Sequence, residues 1–146
     1  MADLSSGLSH QHALIRSFDE TNNSLKTDVS VLMVTGTAAV NTALTITLPA
    51  VAGLFHYITS IQLMKLYNSI GVADGNGVIV TSTNLPGSPA WTTEQVAGTA
   101  GTIVTVINLI LKAPLKSSVV SVATTLVAPV QLQTIWRANV TYFTGK

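Results

Sequence analysis

From residue 29 onward Val, Ile, Thr and aromatic residues dominate, in places alternating apolar with polar, and Pro, Gly and Asn fall at the breaks. Leu44-Thr-Ile-Thr-Leu48 alternates cleanly, and Pro49 ends it. Period two marks a strand with one buried face. The same reasoning predicts strands over Val29–Val34, Phe55–Asn68, Val78–Asn84, Thr102–Lys112, Val119–Val127 and Leu132–Phe143. Between them lie turn or loop segments: Asp74-Gly-Asn-Gly77, Leu85-Pro-Gly-Ser-Pro89 and Gly98–Gly101, with breaks at Pro114 and Pro129. In Thr102–Lys112 the residues Ile103, Thr105, Ile107, Leu109 and Leu111 are expected in phase. Phe55–Asn68 is the longest candidate. Ile58, Gln62, Met64 and Leu66 fall on one face, and Tyr57, Thr59, Ile61, Leu63 and Tyr67 on the other. Apolar side chains on both faces suggest cover on both sides.

Seven or eight strands at intervals of roughly 8–15 residues, with turns between them, predict an all-β fold. The expected architecture is an antiparallel β-sandwich, with the eight-stranded jelly roll as one member of that class. Strand order does not follow from the pattern. Residues 1–28 read differently. Leu4, Leu8, Ile15 and Phe18 recur at roughly helical spacing, and Asp19-Glu-Thr-Asn-Asn-Ser reads as a turn. The chain therefore divides into an N-terminal arm, 1–28, and a β domain, 29–146.

Charge sharpens that division. The arm holds four of the six acids, Asp3, Asp19, Glu20 and Asp28. After it, the ionisable acids and bases are Lys65, Asp74, Glu94, Lys112, Lys116, Arg137 and Lys146. Charged residues make up 9% of the chain, against about 25% in an ordinary soluble protein. Surface charge keeps domains apart. A β domain that omits it is expected to be covered by copies of itself or by a larger assembly. The arm's Leu4, Leu8, Leu14, Ile15 and Phe18 are too apolar for a solubilising tail and are candidates for docking on a neighbouring subunit.

Other classes fare poorly. A net charge of +1 with no cluster of Lys or Arg gives no case for nucleic acid. The apolar runs, such as Ile103–Leu111, reach about half of the ~18–20 residues that a membrane helix needs. The first residues lack the basic and apolar regions of a secretory signal. No cysteine is present, which removes disulfides, thiolate metal sites and a cysteine nucleophile. His10-Gln-His12 could share one face of an extended segment, but no third ligand stands near. His56 lies among aromatic neighbours in the longest strand and reads as a structural, hydrogen-bonded histidine. Acid–base chemistry in the β body would have to use Asp74 and Glu94, which nothing in the sequence brings together. Asp74-Gly-Asn-Gly77 reads as a hairpin turn in preference to a calcium loop, because the twelfth position from Asp74 is Leu85. No catalytic residue, metal or cofactor is expected. Trp136, next to Arg137 in a strand, reads as core or interface. Trp91, after a Pro-rich loop, is the candidate for an exposed anchor, although packing on its own domain is the default for tryptophan.

The stretches Leu48-Pro-Ala-Val-Ala-Gly-Leu-Phe-His-Tyr-Ile-Thr-Ser-Ile, Val80-Thr-Ser-Thr-Asn-Leu-Pro-Gly-Ser, Ala113-Pro-Leu-Lys-Ser-Ser-Val and Ile135-Trp-Arg-Ala-Asn-Val-Thr-Tyr-Phe resemble a family of small virion proteins of tailed bacteriophages. The resemblance covers about residues 45–145 and leaves out the arm. It implies a capsid decoration protein with a jelly-roll body, located in the virion and assembled in the host cytoplasm. Its implied partners are the major capsid protein or other virion proteins, and further copies of itself; analogy with jelly-roll virion proteins suggests a trimer. It supplies no catalytic residues. A second expectation, from another class, is a receptor- or glycan-binding module of a fibre or tail, with Trp91 and the loops at 71–77 and 85–90 making contacts.

Overall fold

A computed structural model of the chain describes residues 30–70, 74–95 and 97–146, with backbone alone at 74–76 and 94–95. The described residues form eight strands: β1 (Leu32–Thr37), β2 (Leu44–Leu48), β3 (Phe55–Tyr67), β4 (Asp74–Thr83), β5 (Trp91–Gln95), β6 (Ile103–Lys116), β7 (Thr124–Ala128) and β8 (Thr134–Gly145). They make two antiparallel four-stranded sheets, ordered β1-β8-β3-β6 and β2-β7-β4-β5. The fold is an all-β sandwich, and the sandwich unit begins at Val31.

The core lies between the sheets. β2 buries Leu44, Ile46 and Leu48; β4 buries Val78 and Val80; β7 buries Leu126 and Ala128. From the other sheet come Ile58, Ile61 and Leu63 of β3 and Trp136, Ala138, Val140 and Tyr142 of β8. Alternate residues of each strand point outward, as the pleat requires. Gly36 of β1 lies directly against β2 of the facing sheet. A Cβ there would run into Ile46 Cδ1 and Leu44 Cδ1 of β2.

Several elements depart from the sequence expectation, each for an identifiable reason. β3 carries a register shift between Ile58 and Ser60 against both of its neighbours. The extra residue switches the phase. His56 and Ile58 therefore point inward together with Ile61, Leu63, Lys65 and Tyr67, instead of dividing between faces. A second shift, opposite Leu63 and Met64, does the same in β6. Ile107 is buried, whereas Ile103 is 61% exposed and points outward.

Pro114 does not end β6. The strand runs on to Lys116 because β6 is a sheet edge, where a missing N–H costs no ladder bond. Asp74–Gly77 belongs to β4 instead of a turn. Asp74 pairs with Gln95, Gly77 takes φ +68°, and the ladder slips between Asp74 and Val78. β5 has no counterpart among the sequence-predicted strands. Residues 117–123 form a loop, and β7 starts only at Thr124.

Candidate functional site

Among the described residues, a dense polar arrangement surrounds His56, at the end of the core. The imidazole is 1% exposed. Its Nε2 lies 2.9 Å from the Pro49 carbonyl and its Nδ1 lies 2.9 Å from Thr124 Oγ1. A carbonyl can only accept, so Nε2 carries the proton and Nδ1 accepts from the Thr124 hydroxyl. Asn84 Nδ2 in turn donates to Thr124 Oγ1 at 3.3 Å. The edge of the ring meets Tyr142, with centroids 5.7 Å apart. The backbone is fastened as well. His56 N–H donates to Ser117 Oγ at 3.0 Å, and Ser117 N–H donates to the His56 carbonyl at 2.8 Å.

A hydroxyl within reach of an imidazole has the outline of a nucleophile and its base. Here, however, Thr124 is 0% exposed. The group orienting the ring is a carbonyl, not a carboxylate. A substrate has no route to the hydroxyl, and every lone pair and proton of the ring is already used. The arrangement locks the β2–β3 turn onto the start of β7.

Asn84, which the sequence did not single out, is the second member of this structure. Its φ is +56°, a conformation that Asn tolerates better than most residues. Its Oδ1 accepts from Val119 N–H at 2.7 Å, and its Nδ2 donates to the carbonyls of Val119 (3.2 Å) and Val122 (2.9 Å). Its own carbonyl accepts from Ser118 N–H at 2.9 Å. Asn41, also at positive φ, plays a similar part at the other end, where its Oδ1 accepts from Gln133 N–H at 2.6 Å.

Lys65 is the buried cation of the core, 1% exposed, with Nζ 5.2 Å from the Trp136 ring. Desolvation lowers its pKa below the ordinary lysine value. Trp136 is fully buried and donates from Nε1 to the Pro129 carbonyl at 2.8 Å. Trp91 opens β5 opposite Val80 and packs half-buried against the core, instead of standing clear of it in a loop. Asp74 and Gln95 are paired, so the backbone brings Asp74 and Glu94 to adjacent strands; their side chains are outside what the structure describes. The arm residues Leu4, Leu8, Leu14, Ile15 and Phe18, and His10 and His12, also lie outside the described residues. Among the described residues no group of three His, Asp or Glu is placed to hold a metal, and no helix is long and apolar enough to cross a membrane. A narrow cleft between the sheets is lined by aliphatic side chains such as Leu44, Ile61, Val80 and Leu126, with no polar group to orient a ligand.

The outer faces are more distinctive than the interior. On the sheet of β2, β7 and β4, Thr47, Thr125 and Thr83 stand in one row across three strands, and Thr45, Val127 and Thr81 form the next. Thr83 Oγ1 and Thr125 Oγ1 are 2.6 Å apart. Ile79 and Thr92 continue the face towards β5. None of these outward side chains ionises. On the other sheet, one row runs Thr35, Asn139, Gln62, Asn108, with Asn139 Nδ2 donating to Gln62 Oε1 at 3.1 Å. Another runs Phe143, Tyr57, Lys116. The Phe143 and Tyr57 rings are stacked with centroids 4.9 Å apart, and Lys116 Nζ lies 3.9 Å from the Phe55 centroid. Tyr57 Oη donates to the Lys146 carbonyl at 2.8 Å.

No protein-family model matches the chain, and no curated protein matches it.

Proposed function

We propose that this chain is a structural protein of a tailed-phage virion, a capsid decoration module that binds copies of itself and a shell protein, and is not an enzyme. The observation that carries the reading is the chemistry of the outer faces. The described outward positions of the sheet β2-β7-β4-β5 are Thr, Val and Ile. Hydroxyl and methyl groups in register are suited to being covered by a neighbour, because these described side chains carry no charge to desolvate.

The strand order gives further support. Each sheet interleaves strands from the two halves of the chain, β1-β8-β3-β6 facing β2-β7-β4-β5. Two Greek keys wound into two sheets produce this order, and a jelly roll is built in that way. In this reading residues 1–28 dock the module on the particle through Leu4, Leu8, Leu14, Ile15 and Phe18. The receptor- or glycan-binding alternative has less to rest on, because Trp91 spends part of its surface on the core.

Electron microscopy of the intact particle tests the proposal. Many symmetric copies over the capsid are expected. A few copies confined to a tail tip would replace it with the receptor-binding reading.

A further inference from the structure

The two edges of the sheet β1-β8-β3-β6 are built differently. β6 is irregular. Its register jumps from Leu115, opposite Ile58, to Ile110, opposite Ser60, so residues 111–114 bulge from the edge. That bulge carries Lys112 and Pro114, and a bulge, a lysine and a proline are three of the devices by which natural sheets blunt an edge.

β1 has none of them. Its six residues, Leu-Met-Val-Thr-Gly-Thr, pair with β8 without a register shift. Ala38 N–H donates to the Trp136 carbonyl at 2.9 Å, which sets the phase of the ladder. By the alternation of an antiparallel pair, Gly36, Val34 and Leu32 exchange hydrogen bonds with β8. The N–H and C=O groups of Met33, Thr35 and Thr37 point the other way. Beside them Val31 is 62% exposed, Leu32 42% and Met33 65%, and no residue from 30 to 48 is charged.

We infer that β1 is a self-association edge, pairing antiparallel with β1 of a second copy about a two-fold axis centred on Thr35. The occupant follows from the pattern. The three outward-facing residues are evenly spaced about Thr35, so two copies match Met33 to Thr37, Thr35 to Thr35 and Thr37 to Met33, satisfying every outward backbone group. Neither partner brings a charge into the contact. The contact is isologous and builds a dimer, where analogy with virion proteins pointed to a trimer. The inference rests on the self-assembly reading above and specifies the surface that it uses.

The experiment is sedimentation of full-length protein at micromolar concentration, with circular dichroism to verify folding. Wild type is expected to sediment as a dimer or a multiple of it. Thr35→Pro removes an outward N–H and leaves the β8 ladder intact, so it is expected to sediment at half the wild-type mass, as a single chain where wild type is a dimer. Thr105→Pro is the control. Tyr67 N–H donates to the Thr102 carbonyl at 3.0 Å, which places the Thr105 N–H on the outer side of β6, and this variant should associate like wild type. Thr35→Lys and Thr35→Glu leave the backbone donor in place, so they serve even if the proline variant does not fold. Each alone would set like charges directly opposite and dissociate the pair. Mixed together, they should associate again.

If wild type associates and the Thr35 variants do so equally well, the β1 contact is overturned while the self-assembly reading stands. Failure of the Lys and Glu variants to re-associate on mixing also overturns the two-fold register. If wild type itself sediments as a single chain, both the inference and the self-assembly reading fall.

Discussion

Asn84 clasps Val119 from both sides of its peptide unit, accepting from its N–H at 2.7 Å and donating to its carbonyl at 3.2 Å. A side chain between β4 and β5 thus substitutes for a strand partner along the β6–β7 loop. With φ at +56°, the position makes two demands, a carboxamide and a left-handed backbone. Asn84→Ala fails both and is expected to destabilise the domain by about 2 kcal/mol or more. Asn84→Gly fails only the first and should fall between. Urea unfolding followed by tryptophan fluorescence would rank the three proteins, and equal midpoints would show that the clasp contributes nothing.

His56→Phe keeps a ring against Tyr142 but leaves the Pro49 carbonyl without the ring N–H and the Thr124 hydroxyl proton without its acceptor. Each buried group left unpaired costs about 1–3 kcal/mol, so with two such groups the variant should lose about 2–6 kcal/mol. The measurement is again the urea midpoint. A loss below about 1 kcal/mol would mean that the pocket relaxes to admit water.

Lys65 gives stability a pH dependence. Its pKa is lowered in the folded protein by desolvation, so above that pKa the unfolded chain binds the extra proton. The penalty of burying the charge is therefore full below the folded pKa and is relieved as pH rises through it towards 10.5. Tyr67 acts with the opposite sign. Desolvation raises its pKa, so the stability it contributes is lost as pH rises above 10.0. Unfolding of wild type and Lys65→Met between pH 7 and pH 10.5 isolates the lysine. The difference between them should move in favour of wild type as pH rises; a pH-independent difference would refute the assignment.

Gly36→Ala would place a methyl against the Ile46 and Leu44 side-chain ends, where β1 and β2 close on each other. Overpacking of this kind costs about 1–3 kcal/mol. Adding Ile46→Val, which shortens the obstructing side chain, should recover part of the loss. Additive effects in the double variant would show that the two positions are not in conflict.

A chain starting at Asp28 is expected to remain folded and self-associated but to lose binding to the particle. Full occupancy of particles by the truncated protein would remove the docking role from residues 1–28. Failure to fold would make them part of the domain.

The β class was readable because alternation is local. Leu44–Leu48 and the length of β3 show it in the sequence alone. The phase errors in β3 and β6 arose at bulges, and a bulge is decided by the partner strand, as Thr59 and Ser60 are by β6 and β8. β5 went unread because it has five residues and includes Glu94 and Gln95, which are poor strand formers. Pro114 misled because edge position follows from topology, which no single segment encodes. His56 could be read as a structural group from its neighbours, but its partners could not. Pro49 and Ser117 lie within a few residues of predicted strand ends, yet Thr124 meets the histidine only once the chain has folded, and Asn84 reaches Thr124 only once β4 and β7 are adjacent. Asn84 closed a predicted strand and Asn41 was not singled out, since what their side chains hold is a distant loop.

The irregular stretch at 111–114 has a consequence for growth. A sheet with two regular edges can add copies without end and become a filament. With Lys112 and Pro114 blunting one side, the pairing inferred for β1 would use the remaining regular edge of this sheet, and growth through that sheet would stop after one step.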